Sequence, residues 1–164
     1  RAFVHAEIRK PLTPLLKQIK SYGWEAGIAI NPDTEWEAVK SFLPSQTTPN
    51  PSFKRRGNKS FSSPARGEVR RGGSTFVDCV LFMTVYPGQN GAPFQKKVVP
   101  KIQSFHEAYP KVPIEVDGGV NEKTLPVLLK AGVIRFAVGS AIWGAKDPIQ
   151  EYKKLLKVVG QYHS

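Results

Sequence analysis

One cysteine, one methionine and three histidines are all that this 164-residue chain holds of the commonest soft or switchable side chains. A single Cys79 excludes an internal disulfide and any metal site built from several thiolates. It sits inside the apolar run VDCVLFMTV, which reads as a buried structural thiol rather than a nucleophile. No apolar stretch approaches the roughly 18 residues that a membrane-spanning helix needs. The opening RAFVHAEIRK lacks the apolar core of a secretory signal. These absences lead to the expectation of a cytoplasmic protein kept in a reducing compartment. With 40% hydrophobic residues the composition is globular, and the length suits one domain with a real core.

Acidic residues are also scarce, 13 against 24 Lys and Arg, for a net charge of +11. Such an excess raises the question of nucleic acid, but its distribution argues against that partner. Lys54, Arg55, Arg56, Lys59, Arg66, Arg70 and Arg71, opposed by Glu68 alone, place +6 of the excess between residues 45 and 75. That segment is rich in Ser, Pro, Gly and Arg and has no apolar period. It reads as a disordered surface insertion in a single domain spanning 1–164, with a basic nucleic-acid arm as its alternative.

Elsewhere the hydrophobic period alternates. FVHAE (3–7) reads as a strand, and Leu12, Leu15, Leu16 and Ile19 then mark one helical face up to Gly23. WEAGIAI (24–30) is the second strand, followed by a helix with Trp36, Val39 and Leu43 on one side. FVDCVLFMTV (76–85) is apolar almost throughout, as a strand buried on both faces would be. A Gly-rich loop leads to a helix through Val98, Val99, Ile102 and Phe105. VPIEV (112–116), a helix over 121–132, VIRFAVG (133–139) and a last helix complete the series. For that last helix the pattern predicts Asp147 as cap, Pro148 at the first position, and Ile149, Tyr152, Leu156 and Val159 on the apolar face. Five βα units in a row imply parallel strands covered by helices, either an open doubly wound sheet or a (β/α)8 barrel. In both, chemistry belongs at the carboxyl ends of the strands.

Those ends carry unusual residues. His5 and Glu7 close the first strand, and Asn31-Pro32 the second. Met83-Thr84-Val85 runs into Pro87-Gly88-Gln89-Asn90-Gly91, Asp117 is followed by Gly118-Gly119, and Gly139-Ser140 ends the fifth. Asp-Gly is an ordinary turn dipeptide, yet three successive glycine-bearing ends also suit an anion, because bare backbone N–H groups can approach phosphate oxygens.

AGIAINPDT, VLFMTVYPG, VDGGVNEKT and AVGSAIW, in this order and spacing, resemble the matching segments of ribulose-phosphate 3-epimerase, a phosphate-binding (β/α)8 barrel. The resemblance spans nearly the whole chain except 45–75 and corresponds to strands four to eight. It implies a partial TIM barrel of about five βα units and a small phosphorylated sugar as substrate. It also implies interconversion of ribulose 5-phosphate and xylulose 5-phosphate, assisted by a divalent metal (zinc, or iron, manganese or cobalt). It assigns Asp117 as a metal ligand and catalytic acid/base, and Gly118, Gly119, Gly139 and Ser140 as the phosphate cradle. Gly88, Gln89, Asn90 and Gly91 match the loop over the substrate. Met83 matches a methionine near the substrate, with core packing as its alternative. His5 matches no ligand and reads as structural, and Trp143 as packing. The full-length family member is expected to form homo-oligomers.

Two departures qualify the resemblance. The loop PGQNGA stands where the family has PGFGGQ. The strands that carry the family's other aspartate and both metal-binding histidines have no counterpart, and His106 and His163 fall on helical segments. The expectation is therefore a truncated chain whose activity alone is in doubt. A non-catalytic fragment, or another phosphosugar barrel such as a hexulose-phosphate synthase-like lyase, are the alternatives.

Overall fold

A computed structural model of the chain describes residues 1–44, 76–88 and 91–163. The expected insertion at 45–75 lies outside the described residues. Five strands, β1 (Ala2–His5), β2 (Ala26–Ile30), β3 (Cys79–Met83), β4 (Ile114–Asp117) and β5 (Arg135–Ala137), form one sheet in sequential order, every neighbouring pair parallel. Helices α1 (Leu12–Ser21), α2 (Val98–Ala108), α3 (Leu125–Lys130), α4 (Ser140–Trp143) and α5 (Pro148–His163) alternate with them, and a 3-10 helix spans Trp36–Phe42. Sequential parallel order without a reversal is the barrel alternative, not the doubly wound one.

Register divides the strand residues into two sets. Val4, Ile28, Val80 and Ile114 lie in one row, and Ile30, Phe82 and Val116 in the next. These join Leu16, Val39, Ile102, Phe105, Leu125 and Leu128 in the main core. The large rings interlock there: Phe105 meets Phe82, Trp36 and Tyr109 at centroid distances of 5.4 to 5.7 Å. The opposite face carries a smaller cluster of Phe3, Ala29, Leu81 and Met83.

The sheet is curled toward that smaller cluster. The Arg1 guanidinium reaches the Glu115 carboxylate, although β2 and β3 lie between their strands. Arg135 on β5 grips Glu25, just before β2, through two bonds of 3.0 and 3.2 Å. Strands three places apart in a flat sheet are separated by about 14 Å, so these contacts require a concave face. An arc of five parallel strands with helices on its convex side is a partial (β/α) barrel, as expected.

Two expectations need correction. Of the stripe predicted for α5, Ile149, Tyr152 and Leu156 are exposed, Val159 packs against the core as expected, and Leu155 is the buried side chain. The apolar period specifies a helix but not which side turns inward, because Leu155 and Leu156 are adjacent and either completes a stripe. Trp143 is 79% exposed and does not pack. The cap is the predicted one: Gln150 N–H donates to the Asp147 carboxylate at 2.9 Å, with Pro148 first in the helix.

Phe105→Ala should lower unfolding free energy by about 3–5 kcal/mol, as expected for emptying a fully buried aromatic site. Trp143→Ser should change it by less than about 0.5 kcal/mol. Urea denaturation of both variants followed by circular dichroism checks the contrast.

Candidate functional site

The carboxyl ends of β3, β4 and β5 surround a cavity of about 360 Å³. Met83 ends β3 and is paired with Asp117, which is in turn paired with Ala137. Gly118 and Gly119 leave β4 with φ of +102° and +62°. Both conformations favour glycine, and space demands it as well. A Cβ on Gly118 would stand 2.2 Å from Val85 Cγ2, and one on Gly119 would stand 3.0 Å from Phe94 Cβ. Gly139 and Ser140 open the short helix α4 on the far wall.

Met83, Gly88, Gly91, Asp117, Gly118, Gly119, Gly139 and Ser140 all line this one cavity. Gln89 and Asn90, expected in the same loop, lie outside the described residues. Five loop and strand-end positions of the wall were not anticipated as site residues: Val85, Tyr86, Pro87, Ala92 and Val120.

The turn is anchored from its own helix. Asn121 Nδ2 and Thr124 Oγ1 donate to the Gly119 carbonyl at 3.1 and 2.8 Å. Asn121 Oδ1 accepts the main-chain N–H groups of Lys123 and Thr124. This Asn-x-x-Thr bracket starts α3 and fixes the loop that follows Asp117.

A second anchor joins the loops after β2 and β3. Lys97 Nζ donates to Asp33 Oδ1 at 2.5 Å and to the Tyr86 hydroxyl at 2.7 Å, while Tyr86 donates to Asp33 at 3.0 Å. The Lys97 bond holds the Asp33 carboxyl below its usual range, with Tyr86 helping; the same carboxylate pushes Lys97 up to about 12. Lys101 donates to the carbonyls of Pro32 and Thr34, tying the β2 loop down on α2.

His5 does not line the cavity. Its Nδ1 lies 3.5 Å from Glu7, whose other oxygen accepts Asn31 N–H and the Thr34 hydroxyl. Burial raises the Glu7 carboxyl, and the Thr34 and Asn31 bonds outweigh that and lower it. His5 is thus part of a bracket under the β2 loop, which fits its structural reading. Cys79 lies at 0% exposure, its thiol pushed up to about 11 by burial, as an unreactive core residue should be.

Asp117 is the sole carboxylate among the described wall residues. Among the described residues no group of three His, Cys, Asp or Glu side chains could hold a metal ion. One carboxylate supplies one ligand of the three or four that a metal centre draws from protein. The described residues alone therefore do not fit the divalent metal expected from the resemblance.

The family model described as ribulose-phosphate 3 epimerase family matches residues 74–143, the stretch that contains the whole cavity wall. The ribulose-phosphate 3-epimerase named as the cytoplasmic isoform of Oryza sativa subsp. japonica is 30% identical over 156 residues, covering 94% of this chain and 56% of that protein. The Bacillus subtilis ribulose-phosphate 3-epimerase is 30% identical over 149 residues, 88% of this chain and 54% of the relative. The chain spans about half the length of the curated relatives it matches. Among solved structures, 3-hexulose-6-phosphate synthase superposes with a TM-score of 0.58 at 16% identity, over 95% of this chain and 60% of that one. Orotidine 5'-monophosphate decarboxylase from Sulfolobus solfataricus gives 0.59 at 9%, over 98% and 61%. At such identities the structures speak for the barrel fold alone.

Gly118→Ala should lower the melting temperature by several degrees, since it adds both a clash with Val85 and an unfavourable positive φ. Gly139→Ala, which meets nothing within 4 Å and has φ of −105°, should melt like the wild type. The clasp sets a pH window. A lowered Asp33 contributes above its ordinary 3.8 and loses that contribution as pH falls through its lower folded value. Lys97 contributes fully below 10.5 and loses it as pH rises toward about 12. In a carbon-13 titration, Lys97→Met should return the Asp33 midpoint toward 3.8; an unmoved midpoint would show that the clasp does not form.

Proposed function

We propose, from the premise that the chain belongs to the ribulose-phosphate 3-epimerase family, that it supplies the phosphate cradle and one acid/base of a sugar-phosphate epimerase site. Its substrates in this reading are ribulose 5-phosphate and xylulose 5-phosphate. The observation that carries the proposal is the meeting of Asp117, the Gly118-Gly119 turn and the Gly139-Ser140 corner in one cavity.

The proton on C3 of such a sugar lies next to the C2 carbonyl, so its removal leaves an enediolate. Returning a proton to the opposite face inverts C3. Asp117, at the mouth of β4, can take or return that proton on one face. The main-chain N–H groups of the glycine turns can hold the phosphate at the other end of the sugar, where no side chain stands in the way. Met83 provides an apolar wall beside Asp117. Inversion by this route takes a second group on the opposite face, and the described cavity wall offers one carboxylate. The divalent metal implied by the family also requires ligands in addition to Asp117.

Two further expectations belong to the same proposal. One is a cytoplasmic location, in keeping with the absence among the described residues of a helix long and apolar enough to cross a membrane. The other is association between copies of the full-length protein, for which the exposed Trp143, Ile149 and Tyr152 offer an apolar surface.

The test is deuterium incorporation at C3 of ribulose 5-phosphate in D2O, with and without added divalent metals. Asp117→Asn should reduce exchange at least ~100-fold, the scale of a lost general base, while leaving phosphate affinity within a few fold. A wild-type chain that binds phosphate yet exchanges nothing under any of these conditions would identify a binding remnant rather than an enzyme.

A further inference from the structure

Thr84 is the one polar side chain fully buried among the described residues, at 0% exposure. It follows Met83 at the end of β3 and is absent from the cavity wall. Its hydroxyl bonds are directed at the turn after Asp117. The Thr84 N–H donates to the Asp117 carbonyl at 2.9 Å. Its Oγ1 lies 2.5 Å from the Gly118 carbonyl oxygen and 3.1 Å from that of Asp117. Its own carbonyl accepts the Gln95 N–H at 2.8 Å, at the point where the Gly-rich loop returns to α2.

A trans peptide places its C=O and N–H on opposite sides. The Gly118 carbonyl is drawn into the interior by Thr84, so the Gly119 N–H of the same peptide faces the other way. Gly118 and Gly119 both line the cavity, and that other way is toward it. No acceptor for the Gly119 N–H occurs among the described residues. With a glycine on each side, and Gly119 at φ of +62°, the Gly118–Gly119 peptide has glycine's freedom to turn over. A buried hydroxyl with a single proton is what opposes that turn.

We propose that Thr84 is a positioning residue: its hydroxyl sets the orientation of the Gly118–Gly119 peptide, and so aims the Gly119 N–H at a bound phosphate. This rests on the phosphate cradle of the proposed function. It adds a residue that touches neither phosphate nor sugar and acts through the main chain. The same bonds tie the cradle to the β3 end and to Gln95, so the turn and the returning loop share one buried support.

The experiment uses the full chain labelled with nitrogen-15, as wild type, Thr84→Val and Thr84→Ser, with inorganic phosphate as the probe. Valine keeps the volume and removes the donor; serine keeps the donor. In the free protein, the Gly118 and Gly119 amide signals should move in the valine variant and return in the serine variant. Phosphate affinity should fall about tenfold with valine, the scale of one lost hydrogen bond, and stay within about twofold with serine. A folded valine variant with unmoved Gly118 and Gly119 signals would overturn the proposal whatever phosphate does. Moved signals with unchanged phosphate affinity would overturn the aiming role. A wild type that shifts none of its cradle amides with phosphate would overturn the cradle itself, and with it the anion half of this inference. Should the valine variant fail to fold, Thr84→Cys replaces the hydroxyl by a weak donor. Unmoved glycine signals, or unchanged phosphate affinity, would overturn the proposal in that variant in the same way.

Discussion

The pairing of β3 with β4 is the constraint on which the rest depends. Val80, Leu81, Phe82 and Met83 stand beside Ile114, Glu115, Val116 and Asp117 in one uninterrupted parallel register. A strand's two faces alternate, so this single ladder does two jobs. Phe82 and Val116 face the helices and enter the main core. Met83 and Asp117 face the concavity and enter the cavity wall. A slip of one residue would exchange the two sets, placing a carboxylate in the aromatic cluster around Phe105. Burial of the apolar row therefore fixes where the acid stands.

Beyond the last rung the chain must stop pairing without leaving its carbonyls unbonded in the interior. The turn meets that demand by side-chain donors. Thr84 takes the carbonyl of Gly118, and Asn121 with Thr124 takes that of Gly119. Each satisfied carbonyl leaves the N–H of its own peptide on the opposite side. In the proposed reading, the anion-binding surface is a by-product of satisfying acceptors. The glycines are needed because a turn folded this tightly brings Val85 and Phe94 within 2.2 and 3.0 Å of any added Cβ.

Much of this was legible in the sequence, and the part that was not has a common cause. The order of elements follows from the helical and strand periods, because Leu12, Leu16 and Ile19, then Val98, Ile102 and Phe105, then Leu125, Leu128 and Leu129 each fall at the spacing of one helical face and join the main core. Asp117 and the glycines could be found since strand ends in a parallel fold converge on one side. Residues whose role depends on distant partners were missed. Asp33 follows β2 while Tyr86 and Lys97 stand at the two ends of the β3–α2 connection, and they meet only after folding. Thr84 stands at a strand end with unusual residues, yet nothing in the sequence assigns it a role; the signal available is a lone hydroxyl at the last place where a buried strand can still carry one. The α5 stripe failed for a different reason. Ile149, Tyr152 and Leu156 make as good a periodic face as the one containing Leu155, and the choice between them belongs to what the helix packs on.

The arc also separates two tasks by height. At its lower end Arg1, Glu25, Arg135 and Glu115 alternate in sign across the concave face, around Cys79. These long side chains span strands that are not neighbours and so favour curvature. At its upper end the described cavity wall combines five glycines and one carboxylate with apolar side chains such as Met83, Val85 and Val120. In the proposed reading, anion binding uses groups that β3, β4 and β5 contribute together, while proton transfer at C3 uses Asp117 and a partner from elsewhere. Binding and turnover then have different structural requirements. The cradle needs only the curvature and register of three adjacent strands, whereas inversion needs the opposite wall of a closed barrel. In that reading a five-strand arc can meet the first requirement by its own packing, because the cradle glycines and the side chains that bond their turn, Thr84, Asn121 and Thr124, lie between β3 and α4.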